Sequence, residues 1–288
     1  MAKALKEYFK HFVQRTATNP VGWRFYRGCG KLAGFLGRAY QRAQFVREPN
    51  RGPIQIPVEQ LIPNLTVANG PFRSLRYPSA QSVSSVLFPK LLGSYESELH
   101  PVLEELLRNG YNTVVDIGCA EGYYAVGLAL RLKRAEVYAF DTDPNARQLC
   151  AEMASLNGVA DRIHIGELCD QEVLRSIPLG ERALILSDCE GYEGSLFDGQ
   201  LAAFLIEHDV IIETHDFIDI DLSVRMRNAF ANTHHIRSIK SLDDIEKAHT
   251  FSEPALEPYS TWDRYRILRE NRPAIMEWLV MTRLPETT

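Results

Sequence analysis

The chain of 288 residues is 45% apolar and 24% charged, an ordinary globular composition that excludes a disordered, collagenous or coiled-coil protein. Its apolar runs fall far short of the roughly 20 residues that cross a bilayer, and the N-terminus lacks the apolar centre and cleavage site of a secretory signal, so a cytoplasmic location is expected. The net charge of −5 conceals an asymmetry: residues 1–51 hold eleven Lys or Arg against Glu7 and Glu48, whereas the remainder holds 21 basic and 35 acidic residues.

Leu5, Phe9, Phe12 and Val13 share one helical face, and Trp23, Tyr26, Leu32, Phe35, Leu36 and Tyr40 continue the pattern beyond Asn19-Pro20. Two basic amphipathic helices are expected within residues 1–47. They either pack on the main domain or lie against an anionic membrane surface or a partner. Residues 48–64 read as a linker with a short strand over 54–58, and the segments 65–67 and 72–77 flank Asn69-Gly70 in a hairpin pattern. A helix is predicted to begin at a Ser94 cap and to end before Gly110. The expected organisation is therefore a basic helical arm and hairpin lead-in over 1–93 and a larger domain over 94–288.

From there strand-like runs alternate with helical stretches. Strands are predicted over Thr113–Ile117, Glu136–Phe140, 162–165, Ala183–Ser187 and 209–213, and helices over 122–133, 144–157, 170–176, 192–206 and 221–231. Regular alternation implies a parallel sheet covered on both faces. Two further runs, 235–239 and 278–282, bring the total to seven strands in a Rossmann-like three-layer α/β sandwich with an N-terminal helical and hairpin extension.

The strand tips carry the chemistry. Asp116, Gly118 and Gly122 follow the first strand in the spacing of a nucleoside-binding turn, with glycines where backbone can approach a ligand and a helix N-terminus behind them. The nicotinamide fingerprint needs glycine where Ala120 and Tyr123 stand, so a dinucleotide is disfavoured. Asp141, directly after the second strand, is placed to accept both hydroxyls of a ribose. Asp188, Glu190 and Glu193 follow the fourth strand, and Glu213, His215 and Asp216 follow the fifth, all at the carboxyl edge where open α/β sheets bind ligands. Five scattered cysteines, Cys29, Cys119, Cys150, Cys169 and Cys189, form no C-x-x-C pair and suggest neither a disulfide framework nor a zinc site.

The segments VVDIGCAEGYY (114–124), VYAFDTDP (137–144), LSDCEGYE (186–193) and IIETHD (211–216) together resemble class I S-adenosylmethionine-dependent methyltransferases, and within them the FkbM-like group. NGPFRSLRYPS (69–79) and KLLGSYESEL (90–99) resemble that group's lead-in. The resemblance implies a sheet whose last strand is antiparallel and inserted beside the fifth. It implies S-adenosyl-L-methionine as methyl donor, with Asp116, Gly118, Cys119, Ala120 and Gly122 around its methionine and ribose, Asp141 and Thr142 at the ribose, Glu167 and Leu168 at the adenine, and Asp188 beside the reactive methyl. Tyr95 and Glu96 either close over the cofactor or serve a helix end. The expected acceptor is a hydroxyl on a small molecule, a saccharide, or a glycan or lipid-linked precursor.

His215 is the expected general base, its imidazole titrating near neutrality, with Asp188 or Glu213 orienting it or the acceptor. The same acids are also able to hold Mg²⁺ or Mn²⁺, although no metal is assigned and a divalent ion is not favoured. Glu190 and Glu193 also suit a helix N-terminus, and Cys119 and Cys189 suit packing. Nucleic acid is disfavoured as a partner, because the amino-methylating Pro-Pro-Tyr element is absent and the domain is acidic. The alternative from another class is an inactive scaffold of the same fold that works through its basic arm.

Overall fold

The computed structural model describes residues 61–284; the basic helices expected within 1–47 and the strand over 54–58 lie outside them. Seven runs form strands: β1 (Thr113–Ile117), β2 (Glu136–Phe140), β3 (Ile163–Gly166), β4 (Ala183–Ser187), β5 (Asp209–Thr214), β6 (His234–Lys240) and β7 (Glu277–Arg283). They make one sheet in the order β3-β2-β1-β4-β5-β7-β6. The first five run parallel, and β7 lies antiparallel between β5 and β6. This is the mostly parallel sheet with an inserted last strand that the sequence implies. Its strand order reverses between β1 and β4, which puts a ligand crevice outside their carboxyl ends.

The helices are α1 (Leu87–Leu92), α2 (His100–Leu106), α3 (Tyr123–Arg131), α4 (Pro144–Leu156), α5 (Gln171–Ser176), α6 (Glu193–Leu196), α7 (Gly199–Phe204), α8 (Leu222–Phe230), α9 (Asp244–Thr250) and α10 (Thr261–Leu268). Every residue of β1, β4 and β5 is buried, as a sheet covered on both faces requires. Val115, Ile117, Ile185, Val210 and Ile212 face one core cluster with Leu174 of α5, Leu201 of α7 and Phe230 of α8. By the alternation of a strand, Val114 and Asp116 point the other way, where α3 packs on β1 and β2.

Short polar side chains set where helices start. Asp143 accepts from the Asn145 amide ahead of Pro144 in α4, Asp170 from Val173 in α5, and Asp198 from Leu201 in α7, each satisfying an amide that the helix leaves unpaired.

Four expectations change. The Asn69-Gly70 pair does not form a two-residue hairpin turn: a single bridge joins Thr66 to Arg76, and the wide loop between is pulled onto α1 by the bond from the Ala68 amide to the Leu91 carbonyl. Ser94 does not cap a helix. Its amide bonds back to the Pro89 carbonyl, closing α1, and the next helix waits until His100, where Pro101 sits in the first turn. The predicted helix over 192–206 is broken in two at Phe197 and Asp198, because Asp198 caps a new start. The polar stretch before β7 holds α9 and α10, capped by Asp243 and Ser260. Among the described residues no helix is long and apolar enough to cross a membrane.

Candidate functional site

A cleft of about 520 Å³ opens at the carboxyl ends of β1, β2, β4 and β5. Its floor begins with the turn after β1. Gly118 has φ +88°, and a Cβ there would stand 1.7 Å from the Asp188 carbonyl oxygen. The glycine thus lets the tips of β1 and β4 touch. Gly122 (φ +96°) is similarly hemmed in by Cys150 of α4, whose Sγ would be 2.8 Å from an added Cβ. The Asp188 amide bonds to the Ile117 carbonyl at 2.9 Å, so the tips bearing Ala120 and Asp188 are held in one register.

Asp141 ties the next tip to this one. Its Oδ2 accepts from the Ala120 amide at 2.9 Å and its Oδ1 from the Asp143 amide at 2.8 Å. A carboxylate has about four acceptor positions, so each oxygen keeps one for a ligand hydroxyl. Ala120 holds a left-handed φ of +47°, a conformation that costs about 1–3 kcal/mol in a non-glycine residue.

The lead-in forms another wall. Glu121, buried at the start of α3, accepts from Tyr77 Oη (3.2 Å), Ser82 Oγ (2.9 Å), the Val83 amide (3.1 Å) and Lys90 Nζ (2.6 Å). Burial raises the Glu121 carboxyl pKa, but Lys90 more than offsets this and leaves it below its usual value. Val83, Ser84 and Ser85 are thereby laid along the cleft, together with Tyr95.

At the tips of β4 and β5 the acids meet one imidazole. His215, 2% exposed, has Nε2 3.4 Å from Asp188 Oδ1, 3.6 Å from Glu190 Oε2 and 3.9 Å from Glu213 Oε2, and Nδ1 3.3 Å from the buried Glu193 Oε1. His215 Nδ1 and Asp188 Oδ1 are buried without a hydrogen bond of good geometry. Burial would lower the imidazole pKa, but Asp188 and Glu193 overcome it and push the value up to about 10. Burial and the neighbouring Asp188 raise Glu213 well above the carboxylate range. Burial also opposes ionisation of Asp188, yet His215 and Arg272 keep it below its usual value. These carboxylates favour the charged form of the imidazole.

Arg272 is the residue that sequence reasoning missed. It lies between α10 and β7 and reaches Glu96 Oε1 and Glu270 Oε2, each at 2.8 Å, and Glu213 Oε1. Glu96 also accepts from Tyr124 Oη, and Glu270 from Lys247. The chain-terminal stretch therefore closes the site beside Asp188. An arginine in a polar loop 59 residues after Glu213 carries no local signal of this role.

Of the residues expected at a cofactor, Gly118, Cys119, Ala120, Asp141, Thr142, Glu167, Leu168 and Asp188 line the cleft, as do Glu213 and His215. Asp116 and Gly122 are not on its wall. Asp116 is fully buried beneath the turn, and burial raises its pKa to about 8. Tyr95 lines the cleft, whereas Glu96 is buried behind it in the Arg272 network. Asp216 accepts from the Ser223 amide near the start of α8. Cys119 and Cys189 are thiols whose pKa burial and neighbouring groups raise, the reverse of a reactive nucleophile.

The lining fits S-adenosylmethionine: Asp141 keeps free acceptor positions for ribose hydroxyls, Phe140 and Leu168 offer apolar surface for a base, and the acids at β4 and β5 complement a sulfonium charge.

Comparison with known proteins bears on the first part of this domain. Residues 101–179 match the family model for ribosomal protein L11 methyltransferase (PrmA). The chain is 32% identical over 127 residues to the ribosomal protein L11 methyltransferase of Yersinia pseudotuberculosis serotype I (strain IP32953), covering 38% of this chain and 42% of that protein. It is 35% identical over 95 residues to the Salmonella newport (strain SL254) protein of the same name, covering 31% of each. The chain thus spans less than half the length of these relatives. Among solved structures it is similar to a putative O-methyltransferase from Klebsiella pneumoniae (TM-score 0.44, 13% identity, 67% of this chain and 82% of that one). TrmN from Thermus thermophilus is another (TM-score 0.41, 19% identity, 68% and 52%). The sheet order is that of a Rossmann-like α/β fold, and the family match covers its strands β1 to β3.

Proposed function

We propose that this chain is an S-adenosylmethionine-dependent methyltransferase of the FkbM-like kind, and that it methylates a hydroxyl on a small molecule, a sugar or a lipid-linked precursor. One observation carries the reading: Asp141 on the β2 tip and the Asp188, Glu213 and His215 group on the β4 and β5 tips line a single cleft at the carboxyl edge of the sheet. The bound cofactor supplies a methyl group on a sulfonium that leaves readily. The chain's own residues then have to hold the acceptor in line with that methyl and shield it from water. Asp141 anchors the ribose, the strap of Val83 to Ser85 and Tyr95 covers the cleft, and the acids of β4 and β5 orient the acceptor hydroxyl and draw off its proton.

The test is a calorimetric titration of the full chain with S-adenosylmethionine and S-adenosylhomocysteine, beside Asp141→Ala. Two charge-assisted hydrogen bonds are lost in the variant, so its affinity is expected to fall at least tenfold. Absence of binding by folded wild type would overturn the proposal and favour a scaffold.

A second reading, a macromolecular acceptor, draws support from the relatives named for ribosomal protein L11 and from the exposed Phe217, Ile218 and Ile220 beside the cleft. The family match covers β1 to β3, and the acid-rich tips of β4 and β5 lie beyond it. Transfer of labelled methyl to hydroxylated glycosides, set against transfer to a ribosomal protein fraction, separates the two acceptors.

A further inference from the structure

We propose that Asp188, Glu213 and His215 form a binding site for a divalent first-row metal ion, with Nε2 of His215 as the nitrogen ligand and Glu193 as the carboxylate that holds the ring. One oxygen of each acid and one ring nitrogen lie within 4.8 Å of one another. The separations from Nε2, 3.4 Å to Asp188 Oδ1 and 3.9 Å to Glu213 Oε2, are close to the edges of a coordination shell. Ligands about 2.1 Å from a tetrahedral ion stand about 3.4 Å apart.

The site is built, and is more than a gathering of acids. His215 is almost wholly buried, its Nε2 faces Asp188 Oδ1 at 3.4 Å, and that oxygen is buried without a hydrogen bond of good geometry. Behind the ring, Glu193 is fully buried, receives the Cys189 amide at 2.8 Å and faces Nδ1 at 3.3 Å. A carboxylate on that side of the ring stands where the outer partner of a metal-binding histidine stands, with Nε2 turned toward Asp188 and Glu213. Arg272 grips Oε1 of Glu213 and so leaves Oε2 for the ion. One imidazole with two carboxylates suits Mn²⁺ or Zn²⁺.

The site itself stands on these distances; its purpose rests on the methyltransferase reading. An ion there would acidify a hydroxyl bound to it and fix that hydroxyl at the tip of β4, the task that the site otherwise leaves to carboxylates.

The experiment titrates metal-stripped full chain with Mn²⁺, followed by electron paramagnetic resonance and calorimetry, with S-adenosylmethionine titrated into the same samples. One Mn²⁺ per chain, with electron-spin-echo modulation from a single imidazole nitrogen, is expected. Asp188→Asn and His215→Ala should each weaken it at least a hundredfold, and Glu193→Gln about 10–100-fold. Far-ultraviolet circular dichroism checks each fold, and Asp188, whose side chain is 25% exposed against 3% for His215, gives the variant less disturbing to packing. No uptake of Mn²⁺ or Zn²⁺ by folded wild type at 1 mM, or equal uptake by Asp188→Asn, overturns the site. Cofactor binding without metal uptake sinks the site alone, and metal uptake without cofactor binding sinks the methyltransferase reading alone.

Discussion

Lys90 Nζ lies 2.6 Å from Glu121 Oε1 with both side chains buried, so the lead-in helix α1 and the turn after β1 share one ion pair out of water. Removing one partner of such a pair strands the other charge. Lys90→Met is expected to lower stability by about 3–5 kcal/mol, measured by urea denaturation. Adding Glu121→Gln should restore part of the loss, since the amide oxygen still accepts from Tyr77 and Ser82.

Gly118 is irreplaceable for backbone reasons. Gly118→Ala must place a methyl against the Asp188 carbonyl at φ +88°, and a loss of about 3 kcal/mol or more is expected. Gly110 has φ +71° but nothing within 4 Å of an added Cβ, so Gly110→Ala should cost only about 1 kcal/mol. Thermal unfolding of the two variants, compared side by side, tests the contrast.

Asp116 is buried, and neither of its oxygens has a hydrogen bond of good geometry. Burial raises its pKa to about 8. The folded state then holds a proton that the unfolded chain releases near pH 4, so this group's contribution falls as pH rises from about 4 to 8 and is flat beyond. Asp116→Asn removes that loss. Its stability relative to wild type is expected to rise steadily between pH 4 and pH 8, and a difference independent of pH would refute the assignment.

Arg272 neutralises Glu96, Glu213 and Glu270 at once, a task for a planar fork with donors on several edges. Arg272→Lys keeps the charge but meets fewer of these acids, and a loss of about 2 kcal/mol or more is expected by chemical denaturation. Arg272→Met should lose more still, because buried Glu96 is then left without its cation while Glu270 keeps Lys247.

Much of the architecture was legible in the residues alone. The runs Thr113–Ile117, Glu136–Phe140 and Ala183–Ser187 are strands with the predicted ends, because the strands of a parallel sheet covered by helices are mostly apolar and so announce themselves. The acids at the tips were visible for the same reason, as the first polar residues after each run. The lead-in was misread, because the Asn69-Gly70 turn signal speaks only of local backbone, while the bond from the Ala68 amide to Leu91 depends on how α1 docks. Gly118 was singled out from its spacing, and only the fold shows that a side chain there would meet the Asp188 carbonyl, 70 residues on in the sequence.

The sequence by itself determined the alternation of strands and helices and placed Asp141, Asp188, Glu213 and His215 at one edge of a sheet, since burial and chain direction are written in local pattern. Only the tertiary structure decided that Asp116 and Gly122 lie off the cleft wall. It alone brought Arg272 to Glu96 across 176 positions, and it turned His215 from a free base into a ring held between carboxylates. Those outcomes rest on distances between residues far apart in the chain, and charge interactions depend on distance and burial rather than on spacing along the sequence.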